Sequence, residues 1–339
     1  MQDNRMTDNE KNKQTFVNEW KELIKNDDIS LFQILKFNHF RKNKGIIHDL
    51  AFIWKVLAHP KTYRRFINLL RRPCCESAAI TDVSIMYKIL RPYETSDLTS
   101  SERVSVLENH YNLLSEFFTI KQFNTLGTNQ GLNIINYPQT ESYPGDVTVS
   151  LQYNGTHRRE GELTVAILKT IYDEGKQHYS KGRIFSIAMN FGYVNNEKAI
   201  KINSIQGCAH YFKEPQKEIS SVTKQGYGIL PKYLMLEIAF KIAEIMGIKH
   251  VLGIKKASHV YSNAHYKARV SSDEFRYDYD KQWAEFGGKE YSPNYYELFP
   301  IKRTPIEEVP SKKRSQHRKR YAFLDEIKLN LEKLFVKQQ

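Results

Sequence analysis

The chain has 339 residues, enough for one large core or two smaller units, and its 40% hydrophobic and 26% charged content is that of an ordinary folded protein. Lysine and arginine outnumber aspartate and glutamate by 51 to 38, a formal charge of +13, so an anionic partner is expected wherever that charge is clustered. No run approaches the roughly 18 apolar residues needed to span a bilayer, which leaves a membrane role only at the surface.

Residues 1–13 are polar with charges of both signs, lacking the basic start and apolar middle of a secretion signal, and read as a disordered N-terminus of a cytoplasmic protein. The three cysteines, with Cys74 and Cys75 adjacent, suit reduced thiols better than a disulfide framework. From 14 to 125 the pattern is helical: Trp20, Leu23 and Ile24, then Phe52, Ile53, Val56 and Leu57, recur at three and four residues. Pro60 and Pro73 interrupt it. Ser100 or Ser101 followed by Glu102 marks the start of a further helix through Val106, Leu107, Tyr111, Leu114 and Phe117.

Residues 126–145 are rich in Gly, Asn, Pro and Thr and read as a linker or long loop, with a mixed α/β domain from 146 to 339. There the period becomes two: Val147, Val149 and Leu151, then Leu163, Val165 and Ile167, then Ile184 to Phe191 and Ala199 to Ile205 across Asn195-Asn196. Four antiparallel strands in a meander are the simplest arrangement. Pro231 opens a helix that is apolar nearly all round from Tyr233 to Met246, with Gly247 to end it, and His250 to Ile254 reads as a buried strand. A helix around Asp280 to Phe286, a short strand at Tyr295 to Phe299 and an amphipathic tail from Ser315 to Phe335 complete the expected order. The fold class is α+β, a helical N-terminal part followed by a mixed sheet with a buried central helix.

Several strings in the second half occur together: Gln206-Gly207, Gly228-Ile229-Leu230-Pro231-Lys232, His259-Val260-Tyr261, Tyr277 to Trp283, Leu298-Phe299-Pro300, and Lys312-Lys313-Arg314-Ser315 leading to Arg318-Lys319-Arg320-Tyr321. In this order and spacing they resemble the VirK/YbjX family of bacterial proteins over most of the chain. The chain departs from that pattern at Leu230, where the resemblance calls for an arginine. The resemblance implies an association with virulence and with resistance to antimicrobial peptides, and it supplies no catalytic residues.

The order of strands and helices also looks like that of the GNAT acyltransferase fold. In such enzymes a Gly-rich turn ahead of the central helix offers backbone amides to the pyrophosphate of coenzyme A. By that analogy Gln225, Gly226, Gly228 and Lys232 are candidate cofactor-binding residues for coenzyme A or another acyl thioester; two glycines making a tight turn are the plainer reading. His259, following the strand at His250 to Ile254, is the candidate general base, against a role in fixing its loop. The histidines lack zinc-ligand spacing and no metal is expected. Lys312, Lys313, Arg314, Arg318, Lys319 and Arg320 are the candidate anion-binding residues, with Arg64-Arg65 and Arg71-Arg72 a second cluster; the partner would be acidic lipid, nucleic acid or a protein. Two function classes follow: a non-catalytic protein that binds an anionic partner, or an acyltransferase.

Overall fold

Alternating β-branched residues and helices with apolar stripes build one sheet with helices packed on it. The structure, a computed structural model, describes residues 56–81, 88–128, 130–139, 146–153, 157–173, 178–209, 212–267 and 278–338, with a few isolated positions before residue 86. The expected disordered N-terminus and the helical positions Trp20, Leu23, Ile24, Phe52 and Ile53 lie outside the described residues.

The front part holds α1 (Pro60–Leu70), α2 (Pro73–Thr81), α3 (Ser100–Ser115) and α4 (Ile120–Leu126). Proline takes the first turn of α1, where its missing N–H costs nothing. Helix α3 starts at Ser100 as expected, with Thr99 as its N-cap, accepting from the Glu102 amide while the Glu102 carboxylate accepts from the Thr99 amide. Its apolar stripe, Val104, Leu107, Tyr111 and Leu114, is fully buried and lies against the sheet.

Among the described residues eight strands form one mixed sheet. They are β1 (Leu132–Asn136), β2 (Val147–Tyr153), β3 (Leu163–Asp173), β4 (His178–Val194), β5 (Glu197–Gln206), β6 (His250–Ile254), β7 (Lys289–Glu290) and β8 (Tyr295–Leu298), in spatial order β1-β2-β3-β4-β5-β6-β8-β7. Strands β2 to β5 form the expected antiparallel meander. Asn195 and Asn196 both take positive φ, 52° and 64°, which gives the β4–β5 connection the backbone twist of a tight hairpin. One expectation is corrected: the stretch 126–145 is not simply a linker, because Leu132–Asn136 pairs antiparallel with β2 and adds a strand to the meander.

After β5 the chain crosses through α5 (Pro215–Gln225) and α6 (Pro231–Met246) and returns as β6, parallel to β5. Helix α6 is the buried central helix, with Leu234, Met235, Ile238, Ala239 and Ile242 fully enclosed against β3 to β6. Gly247, at φ 64°, ends it in the left-handed conformation. A short turn of helix, α7 (Ala264–Lys267), precedes α8 (Tyr279–Glu285), whose Trp283 is completely buried and donates to the Ile254 carbonyl at 2.8 Å. Gly253 makes this possible, since a Cβ there would sit 2.5 Å from the indole. The C-terminal helix α9 (Ser311–Leu334) buries Phe323, Leu324, Ile327 and Leu331 on α6 and β1. A continuous apolar cluster runs from Val56 through both halves to Phe335.

Candidate anion-binding surface

Six of the eight lysines and arginines of α9 fall in its first ten positions, where no acidic residue accompanies them. A helix N-terminus carries a partial positive charge, so cations there oppose the dipole; in the first turn each costs about 0.3–1 kcal/mol. The three in that first turn, Lys312, Lys313 and Arg314, are therefore not a device for stabilising the helix, and Arg318, Lys319 and Arg320 follow two turns in. The structure divides them. Arg314 donates to the carbonyls of Val309 and Glu307, both at 2.9 Å, and Arg320 donates to the Tyr227 carbonyl through Nε at 3.2 Å and Nη2 at 3.1 Å. Those two guanidinium groups brace the chain. Lys312, Lys313, Arg318 and Lys319 are exposed, and among the described residues no carboxylate pairs with any of them. In the second expected cluster Arg65 is held by Glu108 and Arg72 donates to Asn112 at 2.6 Å, while Arg64 is exposed.

The turn ahead of α6 lies against this helix. Tyr227 takes φ 56° and Gly228 φ 82°, and a Cβ on Gly228 would sit 2.9 Å from both Gln316 Nε2 and Arg320 Nη2. The Tyr227 ring meets Phe323 edge-on, with centroids 6.0 Å apart. Gln225 is buried as the last residue of α5, and Lys232 reaches Glu285 at 2.8 Å. The expected amide cradle has another geometry. The amides of Gly226, Tyr227, Gly228 and Ile229 donate to the carbonyls of Val222, Lys224, Thr223 and Gly226, at 2.7 to 3.1 Å. They close the end of α5 and its turn, which leaves none of the four for a pyrophosphate.

His259 is 1% exposed. Its ring stacks on Tyr279 with centroids 4.8 Å apart, Nδ1 accepts from the Tyr261 amide at 3.3 Å, and burial pushes its pKa down to about 3. At neutral pH the ring is uncharged and enclosed rather than presented to a groove.

Sequence reasoning did not find the charged cluster between the front helices and the sheet. Lys88 pairs with Glu162 and Lys201 with Glu94, all four side chains buried. Tyr93 and Tyr111 donate to the two oxygens of Glu162 at 2.6 and 2.7 Å. Asn190 joins the pairs: its Oδ1 accepts from the Glu162 amide at 2.8 Å and its Nδ2 donates to Glu94 at 2.5 Å. Burial pushes the Glu162 carboxyl up, but the charge of Lys88 and the bonds from its neighbours outweigh this and hold it below the usual carboxylate range. Glu94 has φ 63°, a left-handed backbone rare for a side chain of this size. The one sequence signal was Lys201 between Ile200 and Ile202 in an otherwise core strand.

The fold and this surface define a mixed α+β protein with a basic C-terminal helix, and no helix among the described residues is long and apolar enough to cross a membrane. The family described as "Protein of unknown function (DUF535)" matches residues 41–333. The chain belongs to that family, the YbjX/VirK type. It is 25% identical to "Uncharacterized protein YbjX" of Escherichia coli (strain K12) over 251 residues, 73% of this chain and 71% of that protein. Two "Uncharacterized protein" sequences of Haemophilus influenzae are 35% identical over 130 residues (38% of this chain, 41% of that one) and 28% identical over 197 residues (56% and 58%). No solved structure matches the chain significantly.

Proposed function

We propose that this protein is a non-catalytic, cytoplasmic binder of an anionic partner, which it engages through Lys312, Lys313, Arg318 and Lys319. The observation that carries this is the exposure of these four cations within the first ten positions of α9, a stretch that holds no acidic residue, with Lys312 and Lys313 in the first turn, where they weaken the helix and strengthen its field. The expected association with virulence and antimicrobial-peptide resistance belongs to this reading, because cationic peptides and a basic protein surface attract the same anions. Acyl transfer from coenzyme A or a carrier thioester is the weaker alternative, since the turn's amides are hydrogen-bonded inside the turn and His259 is enclosed.

The test is elution of the full chain from a heparin column, beside a variant with Lys312, Lys313, Arg318 and Lys319 all changed to Gln. The variant is expected to elute at distinctly lower salt with an unchanged or raised Tm, as each lost cation removes close to one released counterion from the salt dependence. Elution at the same salt would assign the charge to solubility alone.

A further inference from the structure

We infer that the anion is the surface of a negatively charged lipid bilayer, and that Leu230 enters it as an apolar wedge beside the basic start of α9. This narrows the anion-binding reading above and rests on it.

Leu230 occupies the N-cap of α6, makes no cap hydrogen bond and is 43% exposed. Serine, threonine, asparagine and aspartate are preferred at an N-cap because their oxygens accept an orphan amide; leucine forgoes that bond and shows its side chain to water. This local misfit lies beside the second one, the cations at the start of α9. Gly228, two residues before Leu230, faces Gln316 and Arg320, whose side-chain nitrogens a Cβ there would meet at 2.9 Å. On a helix the neighbours of Gln316 on the same face are those three and four residues away: Lys312, Lys313, Lys319 and Arg320. Lys224, exposed in the last turn of α5, adds a cation on the other flank of the turn. Arg320 and the Tyr227–Phe323 contact hold the tip in place, so the leucine is displayed by a fixed support.

An aliphatic side chain set among ammonium groups is what an anionic bilayer interface accepts: the charges remain with the phosphates and the leucine is buried below them. Nucleic acid is matched less well. Single strands are held by stacking on planar rings, and phosphates are gripped bidentately by arginine, yet two of the three arginines here are spent on backbone carbonyls. What remains exposed is mostly lysine, a point charge suited to a diffuse surface field.

The experiment is co-sedimentation of the full chain with vesicles of phosphatidylglycerol mixed with phosphatidylcholine and with vesicles of phosphatidylcholine alone. Binding to a single-stranded oligonucleotide and to soluble glycerophosphate is measured in parallel, for the unmodified chain and for Leu230→Ser. The unmodified chain is expected on the anionic vesicles only, more weakly as salt is raised. Leu230→Ser should weaken that binding by roughly fivefold to tenfold, as partial burial of one leucine implies, while serine as a better cap leaves Tm equal or higher. Equal vesicle binding by Leu230→Ser overturns the wedge. Oligonucleotide or glycerophosphate binding without vesicle binding overturns the bilayer and leaves the anion-binding reading standing, and binding to none of the probes overturns both.

Discussion

The Arg320 guanidinium straddles the carbonyl of Tyr227, 93 residues earlier in the chain, with two N–H groups at 3.2 and 3.1 Å. The carbonyl belongs to a residue in the left-handed conformation. A non-glycine residue there costs about 1–3 kcal/mol and persists only where its surroundings over-determine it. Gly228→Ala should break this support, because φ 82° is strained for alanine and the new methyl meets Arg320 and Gln316. A loss of about 2 kcal/mol or more in urea unfolding is expected. Loss of under about 0.5 kcal/mol would mean that the turn and α9 separate freely.

The paired buried charges call for a double-mutant cycle. Lys201→Met alone leaves Glu94 buried without its cation, and the expected cost is about 3–5 kcal/mol. Glu94→Gln with Lys201→Met removes both charges and should cost less than Lys201→Met alone. Additive losses in chemical denaturation would show that the two side chains are not coupled.

Stability is expected to fall in mild acid. Burial depresses His110 to about 4 and His157 and His259 to about 3. The unfolded chain takes up these protons at about pH 6.5 while the native state refuses them, so each histidine removes about 1.4 kcal/mol per pH unit as pH falls below 6.5. Glu160 acts in the opposite sense: burial raises it to about 7, so the native state holds a proton that the unfolded carboxyl has lost. Between about pH 5 and 6 this cancels one histidine and leaves a slope of about 2–3 kcal/mol per pH unit. The check is Tm against pH; an unchanged Tm between pH 7 and pH 5 would contradict it.

In the β4–β5 hairpin, Asn196→Gly should stabilise by a few tenths of a kcal/mol, since Asn196 is exposed at φ 64° and glycine takes that conformation without strain. Thermal unfolding measures it, and a lower Tm would argue for an unnoticed role of the asparagine side chain.

Much of the fold is legible in the sequence because its signals are local. Pro231 and Gly247 bound α6, and period-two apolar residues mark β2 to β5. Strand β1 escapes notice because its five residues lie between Gly131 and Pro138, and breakers so close to a short apolar run outweigh it. The cluster of Lys88, Glu94, Glu162 and Lys201 is illegible for another reason. Charged residues are almost always at the surface, and only the fold shows which of them face a partner in the core. Sequence likewise cannot separate a cation that meets solvent from one that braces a carbonyl, which is how Arg318 and Arg320, two positions apart, come to differ.

The outer edge of β1 is met by α9, where Asn330 Nδ2 donates to the Ile134 carbonyl at 3.0 Å across 196 residues of chain. A strand edge is an open template for other strands until something covers it. At a synthesis rate of about 5–20 residues per second, Asn330 is made about 10–40 s after Ile134. Once β1 has paired with β2, the nascent sheet carries an unguarded border for the rest of that interval, which opens the ribosome-bound chain to misassembly. A stop codon that removes α9 would make that transient condition permanent.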